Sequence, residues 1–268
     1  MSSTQPLKQK IRSALEKSLN LIGLEAFIRT KNNKFDWVLF DKKMLSRYFQ
    51  SDRRIALYKE GLSRANMELT DNFSKEQRFF VLQQMVQKTI EKRIEGDFVE
   101  CGCWRGHSTY MISKLLQSAG FKGTLHVFDS FEGGLSDKTH RDKNLRYQLT
   151  QKEDLNEKFS VASTMEEVQH NLKDFPFVKL YKGWIPERFP EVNNKNFAFV
   201  HIDVDLYQPT KDTLDFFFPR LNKSGCIVID DYGLCQFDGC QEAVDEYFKD
   251  RKVELFFEEP LGGCFIIK

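Results

Sequence analysis

Apolar residues change their spacing along the chain. Ile11, Ala14, Leu15, Leu19 and Ile22 recur at helical intervals. Lys8, Lys10, Arg12 and Lys17 flank that pattern. They would suit a membrane surface, but packing on the protein's own core or on a sister subunit accounts for them as well. Leu82, Met85, Val86, Thr89 and Ile90 mark the inner face of a second helix over 75–93, with Ser74 and Gln77 fitting a capping box. Residues 1–95 therefore read as a helical region, either a substrate lid or a set of oligomer contacts. From Asp97 onward short apolar runs at 97–100, 124–128, 178–181, 197–202 and 225–229 alternate with helical patterns at 107–119, 164–172, 210–221 and 241–251. Continuous apolar strands between helices predict a mostly parallel sheet covered on both faces. Thr164 and Glu167 form a second capping box, and Pro209 suits a helix start. The closing stretch, 253–258, a Pro-Leu-Gly-Gly turn and 264–267, predicts an antiparallel hairpin. The polar segment 136–160 is a solvated loop or a mobile lid.

The fold class is thus α/β and Rossmann-like, with the sheet in residues 96–268. Composition narrows the function. The chain has 268 residues and a formal net charge of +1, with 41% hydrophobic residues and 25 phenylalanines. A near-zero charge without a basic run supplies no bulk field for nucleic acid. The first nine residues are polar, and no apolar run reaches the roughly 18 residues of a membrane span. A cytoplasmic protein is expected, with its six cysteines reduced.

Candidate chemistry gathers at the ends of the apolar runs. Phe98–Gly106 reads F-V-E-C-G-C-W-R-G, a strand, a glycine turn and a helix start. Gly102 permits a tight backbone approach and Gly106 opens the helix. The spacing is not the GxGxxG of a pyrophosphate site, and Glu100 would repel a pyrophosphate. A carboxylate there suits a cationic ligand, such as the amino group of a methionine moiety. Asp129, followed by Ser130, ends the second strand and can accept both hydroxyls of a ribose. Gly183 and Trp184 follow the third strand, where the indole can cover an adenine or belong to the core. Phe199–Tyr207 reads F-V-H-I-D-V-D-L-Y and 225–233 reads G-C-I-V-I-D-D-Y-G. Asp203, Asp205, Asp230 and Asp231 would crowd up to four negative charges at one sheet edge, which calls for a cation. Oxygen ligands alone point to a hard ion such as Mg²⁺, with Mn²⁺ or Ca²⁺ as alternatives. His201 and His107 lie nearby, the first a possible base and the second structural.

In this order, E-C-G-C-W-R-G, D-S-F-E-G, H-I-D-V-D-L-Y-x-P-T and I-D-D-Y-G resemble the macrocin O-methyltransferase family from about Arg78 to the C-terminus. The resemblance implies a class I methyltransferase fold with a seven-stranded sheet, S-adenosylmethionine as donor and Mg²⁺ as activator. It implies Asp203, Asp230 and Asp231 as metal ligands, Asp205 as base, and Glu100 and Asp129 as donor-binding acids. Catechol-type relatives carry a lysine three residues after the first metal aspartate, and here that position is Leu206. Trp104 stands where many methyltransferases have a glycine. The expected reaction is methyl transfer to a hydroxyl of a small molecule or glycan, with a vicinal diol as the natural chelator and a homo-oligomer as the expected assembly. Two other readings stay open. Asp203-Val204-Asp205 is the DxD of metal-dependent glycosyltransferases, and a methyltransferase fold can serve as a non-catalytic binding module.

Overall fold

A computed structural model describes residues 24–31, 34–41, 52–143, 162–234 and 237–268. Two compact units divide the chain at Ala56/Leu57. In the first unit, strands β1 (Leu24–Lys31) and β2 (Lys34–Asp41) pair antiparallel, with Leu24 opposite Asp41 and Lys31 opposite Lys34. This corrects the all-helical reading of residues 1–95. Phe27, Ile28 and Thr30, then Phe35, Trp37 and Val38, are residue types that favour a pleated backbone. The expected helix at 11–22 lies outside the described residues.

The second unit begins within helix α1 (Asp52–Arg64) and includes α2 (Phe73–Glu91), so the expected boundary at 95/96 falls too late. These helices complete the core, with Tyr58, Leu62, Phe79, Leu82 and Val86 buried against Tyr110, Met111 and Leu116. The cap of α2 also differs from expectation. Asn72, not Ser74, accepts the Lys75 N–H at 2.9 Å, and the Ser74 hydroxyl donates to the Leu261 carbonyl at 3.2 Å.

Seven strands form the central sheet: β3 (Asp97–Cys101), β4 (Leu125–Asp129), β5 (Val178–Lys182), β6 (Phe197–Ile202), β7 (Leu221–Ile229), β8 (Leu255–Glu258) and β9 (Cys264–Ile267). Their order is β5-β4-β3-β6-β7-β9-β8. β3 to β7 pair parallel, and β9 pairs antiparallel with β7 and β8. This is the class I methyltransferase fold. Between the strands lie α3 (His107–Ser118), α4 (Met165–Asn171), α5 (Tyr207–Arg220) and α6 (Asp238–Phe248). The capping box at Thr164 and Glu167 is present.

Strand residues alternate between the two faces, as a period of two demands. Phe98, Leu125, Val127, Cys226 and Val228 face one core, and Val99, Phe128, Ile227 and Ile229 face the other. Phenylalanines fill the second layer, where Phe217 lies 4.8 Å from Phe189 and 5.0 Å from Phe197 between ring centroids. Among the described residues, no helix is long and apolar enough to cross a membrane. The chain winds one way from β3 to β5, then returns to place β6 beside β3. That reversal opens a crevice beyond the carboxyl ends of β3 and β6, the place where open α/β sheets bind ligands.

Candidate active site

A cavity of about 510 Å³ occupies this crevice. One wall is the turn after β3. The Gly102 N–H donates to the Phe128 carbonyl at 2.8 Å, and the Asp203 N–H donates to the Cys101 carbonyl at 2.9 Å. Strand ends β3 and β6 approach so closely that a Cβ on Gly102 would lie 1.8 Å from the Asp203 carbonyl oxygen. Gly102 also has φ +80°, as does Gly106 near +82° at the start of α3.

Asp129 holds that turn together. Its Oδ2 accepts the N–H of Cys103 at 2.8 Å and of Trp104 at 3.0 Å, and its Oδ1 accepts from Phe131 N–H at 2.9 Å. The carboxylate still faces the cavity beside Ser130 and Trp184. Each of its oxygens has more than one acceptor site, so it retains capacity for ribose hydroxyls. Gly106 and Gly183, expected to touch the donor, do not line the cavity. Gly183 takes φ +155° and donates its N–H to the Asp129 carbonyl at 3.0 Å.

Glu100 and His201 also occupy places different from those expected. They are partners in register on neighbouring strands, so their side chains leave the sheet on the same face and meet. His201 Nδ1 lies 2.9 Å from Glu100 Oε1, and the Thr109 hydroxyl donates to the other Glu100 oxygen. Both residues are buried below the turn and neither lines the cavity. Glu100 therefore does not present its carboxylate to a methionine amino group, and His201 is not placed to serve as a base. Burial alone would lower the His201 pKa. The hydrogen bond and charge of Glu100, with Asp203 and Asp230 beyond, hold it above its ordinary value.

Beside this turn the cavity lining is acidic. Asp203 follows β6, and Asp230 and Asp231 follow β7. Each offers a carboxylate oxygen, and these oxygens lie within 4.8 Å of one another. Burial first, then the charges of Asp230 and Asp231, push the Asp203 carboxyl well above the usual range, and Asp231 is raised by burial and by Asp205 and Asp230. Three hard oxygen donors that repel one another are the donor set that a divalent ion such as Mg²⁺ or Mn²⁺ satisfies. Asp205 does not continue the strand. β6 stops at Ile202, Asp205 takes φ +62°, and its N–H donates to Asp231 Oδ2 at 3.0 Å. It nevertheless lines the cavity.

A third wall was not expected. Lys75 and Arg78, three residues apart on α2, both face the cavity. Arg78 Nε lies 3.0 Å from Asp230 Oδ2. Lys75 Nζ donates to Thr70 Oγ1 at 2.9 Å and lies 5.9 Å from the Trp104 ring centroid. Burial pushes the Lys75 pKa down to about 8, against the pull of Asp203, Asp230 and Asp71. His107 sits beside it, stacked on Phe79 at 4.1 Å, with Nε2 3.0 Å from the Tyr58 carbonyl. Burial and then the Lys75 charge lower its pKa to about 3, so His107 is neutral at pH 7. The signal for this wall was present in the sequence: two basic residues in the first two turns of a helix, where the dipole favours acids.

The part of the 136–160 segment that is described is anchored. Asp142 is buried and accepts the Tyr207 N–H at 2.9 Å, while Arg141 pairs with Glu242 and Glu246. Residues 144–161 lie outside the described residues.

Residues 31–260 match the family model described as "Macrocin-O-methyltransferase (TylF)". The chain is 31% identical over 172 residues to demethyldecarbamoylnovobiocin O-methyltransferase of Streptomyces niveus, covering 62% of this chain and 63% of that protein. It is 31% identical over 175 residues to an 8-demethyl-8-(2,3-dimethoxy-alpha-L-rhamnosyl)-tetracenomycin-C 4'-O-methyltransferase of Streptomyces olivaceus, covering 62% and 63%. Mycinamicin III 3''-O-methyltransferase of Micromonospora griseorubida is 30% identical over 177 residues, covering 63% of this chain and 66% of that protein. The chain thus spans somewhat under two thirds of the curated relatives it matches. In fold it is similar to the O-methyltransferase NovP, with a TM-score of 0.66 at 24% identity over 81% of this chain and 99% of that one. The calicheamicin methyltransferase CalS11 follows with a TM-score of 0.54 at 17% identity over 81% and 93%. Matched to the family model over residues 31–260, the chain belongs to the macrocin O-methyltransferase (TylF) family.

Proposed function

We propose that the protein transfers a methyl group from S-adenosylmethionine to a hydroxyl of a small-molecule acceptor, with a divalent ion held by Asp203, Asp230 and Asp231. The observation that carries this reading is one cavity lined both by an Asp129-locked glycine turn and by three converging carboxylates. One of the relatives is named for methylation at the 4' position of a rhamnosyl-bearing product, which supports a sugar hydroxyl as the acceptor here; that named substrate carries methoxy groups at positions 2 and 3, so it lends no support to a free vicinal pair.

The donor, when bound, supplies an electrophilic methyl on a sulfonium, and a divalent ion lowers the pKa of a hydroxyl that it holds. The chain's own part is chiefly to position the reacting atoms. Asp129 and Ser130 face the ribose side, and Trp184 offers a flat apolar cover for the base. Gly102 lets the donor wall and Asp203 come together without an intervening side chain. Asp203, Asp230 and Asp231 would hold the ion, and Arg78 holds Asp230 in place. Asp205, which follows Asp203 and lines the same cavity, is the carboxylate offered as the base.

The DxD reading is weaker, because the carboxylates that converge with Asp203 are Asp230 and Asp231, with Asp205 turned by its left-handed backbone. A direct test measures binding of S-adenosylhomocysteine and of a nucleoside diphosphate by calorimetry. Methyl transfer is then assayed on methyl α-L-rhamnopyranoside and on catechol, with Mg²⁺ and with excess chelator. Binding of S-adenosylhomocysteine and Mg²⁺-dependent transfer are expected. A folded protein that binds only the nucleoside diphosphate, or turns over fully in chelator, overturns the reading or its metal half.

A further inference from the structure

Around the start of α3 the cavity is lined by hydrogen-bond donors that lack acceptors. Gly106 has no side chain to cap this helix, and the N–H groups of His107 and Ser108 find no acceptor among the described residues. Such donors, with the helix dipole behind them, favour an anion. Ser108 is 4% exposed and lines the cavity, and its hydroxyl has no partner among the described residues. The indole Nε1 of Trp104, in the turn that leads into α3, is also buried without a partner. Lys75 completes the group. Its Nζ lies 5.6 Å from the Phe79 ring centroid, and Phe79 stacks on His107 at 4.1 Å. Nζ also lies 5.9 Å from the Trp104 centroid. An ammonium carries three N–H donors. Here one goes to Thr70 Oγ1, whose own hydrogen goes to the Met67 carbonyl. Among the described residues, no carboxylate lies within ion-pair distance of Nζ, whereas Arg78, one turn on, has Asp230. A cation in the first turn of α2 opposes the helix dipole, and its burial costs solvation, so the position is favourable only when an anion meets it. Glu100 does not compete for that anion, because His201 and Thr109 hold it behind the turn.

We propose that Lys75 binds the carboxylate of the donor's methionine moiety and so fixes the direction in which S-adenosylmethionine lies along the glycine turn. This rests on the methyl-transfer reading above. The carboxylate is the donor's one anionic group. Asp129, suited to the ribose, accepts the N–H groups of Cys103 and Trp104, the residues that lead toward α3. With the ribose at Asp129, the amino-acid end has the turn to follow toward Ser108. A carboxylate there meets the Lys75 ammonium, the Ser108 hydroxyl and the uncapped N–H groups of α3, every one a donor. The donor's own ammonium in that place would meet a like charge. Hydrogen bonds from a cation to a carboxylate are about twice as strong as neutral ones. Burial lowers the Lys75 pKa only to about 8, so most of it is charged at pH 7, and a bound anion holds it charged. Lys75 is thus a donor-binding residue, and no bond of the transfer forms or breaks at its nitrogen.

The test is titration calorimetry at pH 7 with S-adenosylhomocysteine and with its decarboxylated analogue, S-adenosyl-3-thiopropylamine, on wild type and on Lys75→Met. The substitution keeps an unbranched side chain and removes the charge. Wild type should bind S-adenosylhomocysteine roughly 10- to 100-fold more tightly than the analogue, the range for a hydrogen bond to a charged group. In Lys75→Met that preference should shrink to within about threefold, through weaker binding of S-adenosylhomocysteine and not of the analogue. An equal loss of both ligands in folded Lys75→Met would mark a merely structural cation and overturn the assignment. So would a preference that survives the substitution, which would give Lys75 to another anion. A wild type that binds both ligands equally overturns the carboxylate site and leaves the donor reading standing. A folded wild type that binds neither overturns the donor reading, and the assignment with it. Should Lys75→Met not fold, Lys75→Gln, which keeps a donor for Thr70, carries the same comparison.

Discussion

Replacing Gly102 with alanine should damage the protein far more than one methyl group suggests. The added Cβ would lie 1.8 Å from the Asp203 carbonyl oxygen and 2.8 Å from its carbon. The obstacle is backbone and cannot swing aside. It is also tied down, because the Asp203 N–H is bonded to the Cys101 carbonyl one residue before the substitution. The ends of β3 and β6 must therefore separate. Overpacking of this kind costs about 1–3 kcal/mol, and a left-handed backbone at φ +80° adds about 1–2 kcal/mol for a residue with a Cβ. A total of about 2–5 kcal/mol corresponds to a fall in Tm of roughly 4–20 °C for a unit of this size. Gly120→Ala is the internal control. Gly120 has φ +66° and nothing within 4 Å of its Cβ position, so it carries the backbone penalty alone. Differential scanning calorimetry on both variants isolates the close approach. Because the displaced residue is Asp203, Mn²⁺ affinity, measured by titration calorimetry, should drop in Gly102→Ala and not in Gly120→Ala. A Gly102→Ala protein that melts within 2 °C of Gly120→Ala would refute the reasoning.

Three further outcomes are expected. Asp129→Ala leaves the backbone N–H groups of Cys103, Trp104 and Phe131 without their acceptor; S-adenosylhomocysteine affinity should weaken by about 1.5–3 kcal/mol, and unchanged calorimetric affinity would remove Asp129 from the donor site. Asp230→Asn takes one charge from the trio and the partner from Arg78; Mn²⁺ binding should weaken at least tenfold while circular dichroism stays native, and equal binding would argue against the ion site. Acid stability should depend on Asp97. Burial works against its charge, but His126, the Thr124 N–H and Lys195 outweigh it and hold the carboxyl down at about 2. A depressed pKa contributes stability that is full above the ordinary carboxylate range and is lost as pH falls toward 2. Asp97→Asn should therefore flatten the fall of Tm between about pH 4 and 2, and an unaltered slope would contradict this.

The parallel strands after Asp97 were legible because each apolar run gives way within a residue or two to an acid or a glycine, and that stop marks the carboxyl end of the sheet. Asp203 and Asp230–Asp231 were legible as neighbours for the same reason. Glu100 and His201 were not, because their meeting depends on β3 lying beside β6 in a register that a one-dimensional pattern does not contain. Asp205 was misplaced by assuming a straight strand where the backbone turns left-handed. Lys75 and Arg78 were missed because they reach the site from a helix that precedes the sheet in the chain. The N-terminal hairpin was missed because Leu24, Phe27 and Ile28 continue a helical spacing that pairing with β2 overrides. Ser74 and Asn72 are equally good caps by chemistry, and only the path of the chain decides between them.

The cavity walls have separate origins in the chain. Thr70, Lys75 and Arg78 come from residues before the first core strand, whereas Gly102, Asp129 and Trp184 belong to the alternating strand–helix core. Residues 67–79 can consequently diverge, or be grafted between relatives, without touching the hydrogen bonds that shape the glycine turn. Arg78 bridges the two inheritances through Asp230, and Ser74 does so through the Leu261 carbonyl. A lineage that exchanged this short stretch and kept those two contacts would reshape one part of the cavity lining and leave the glycine turn as it is. Chimeras cut at residues 67 and 79 are thus a natural starting point for varying that lining.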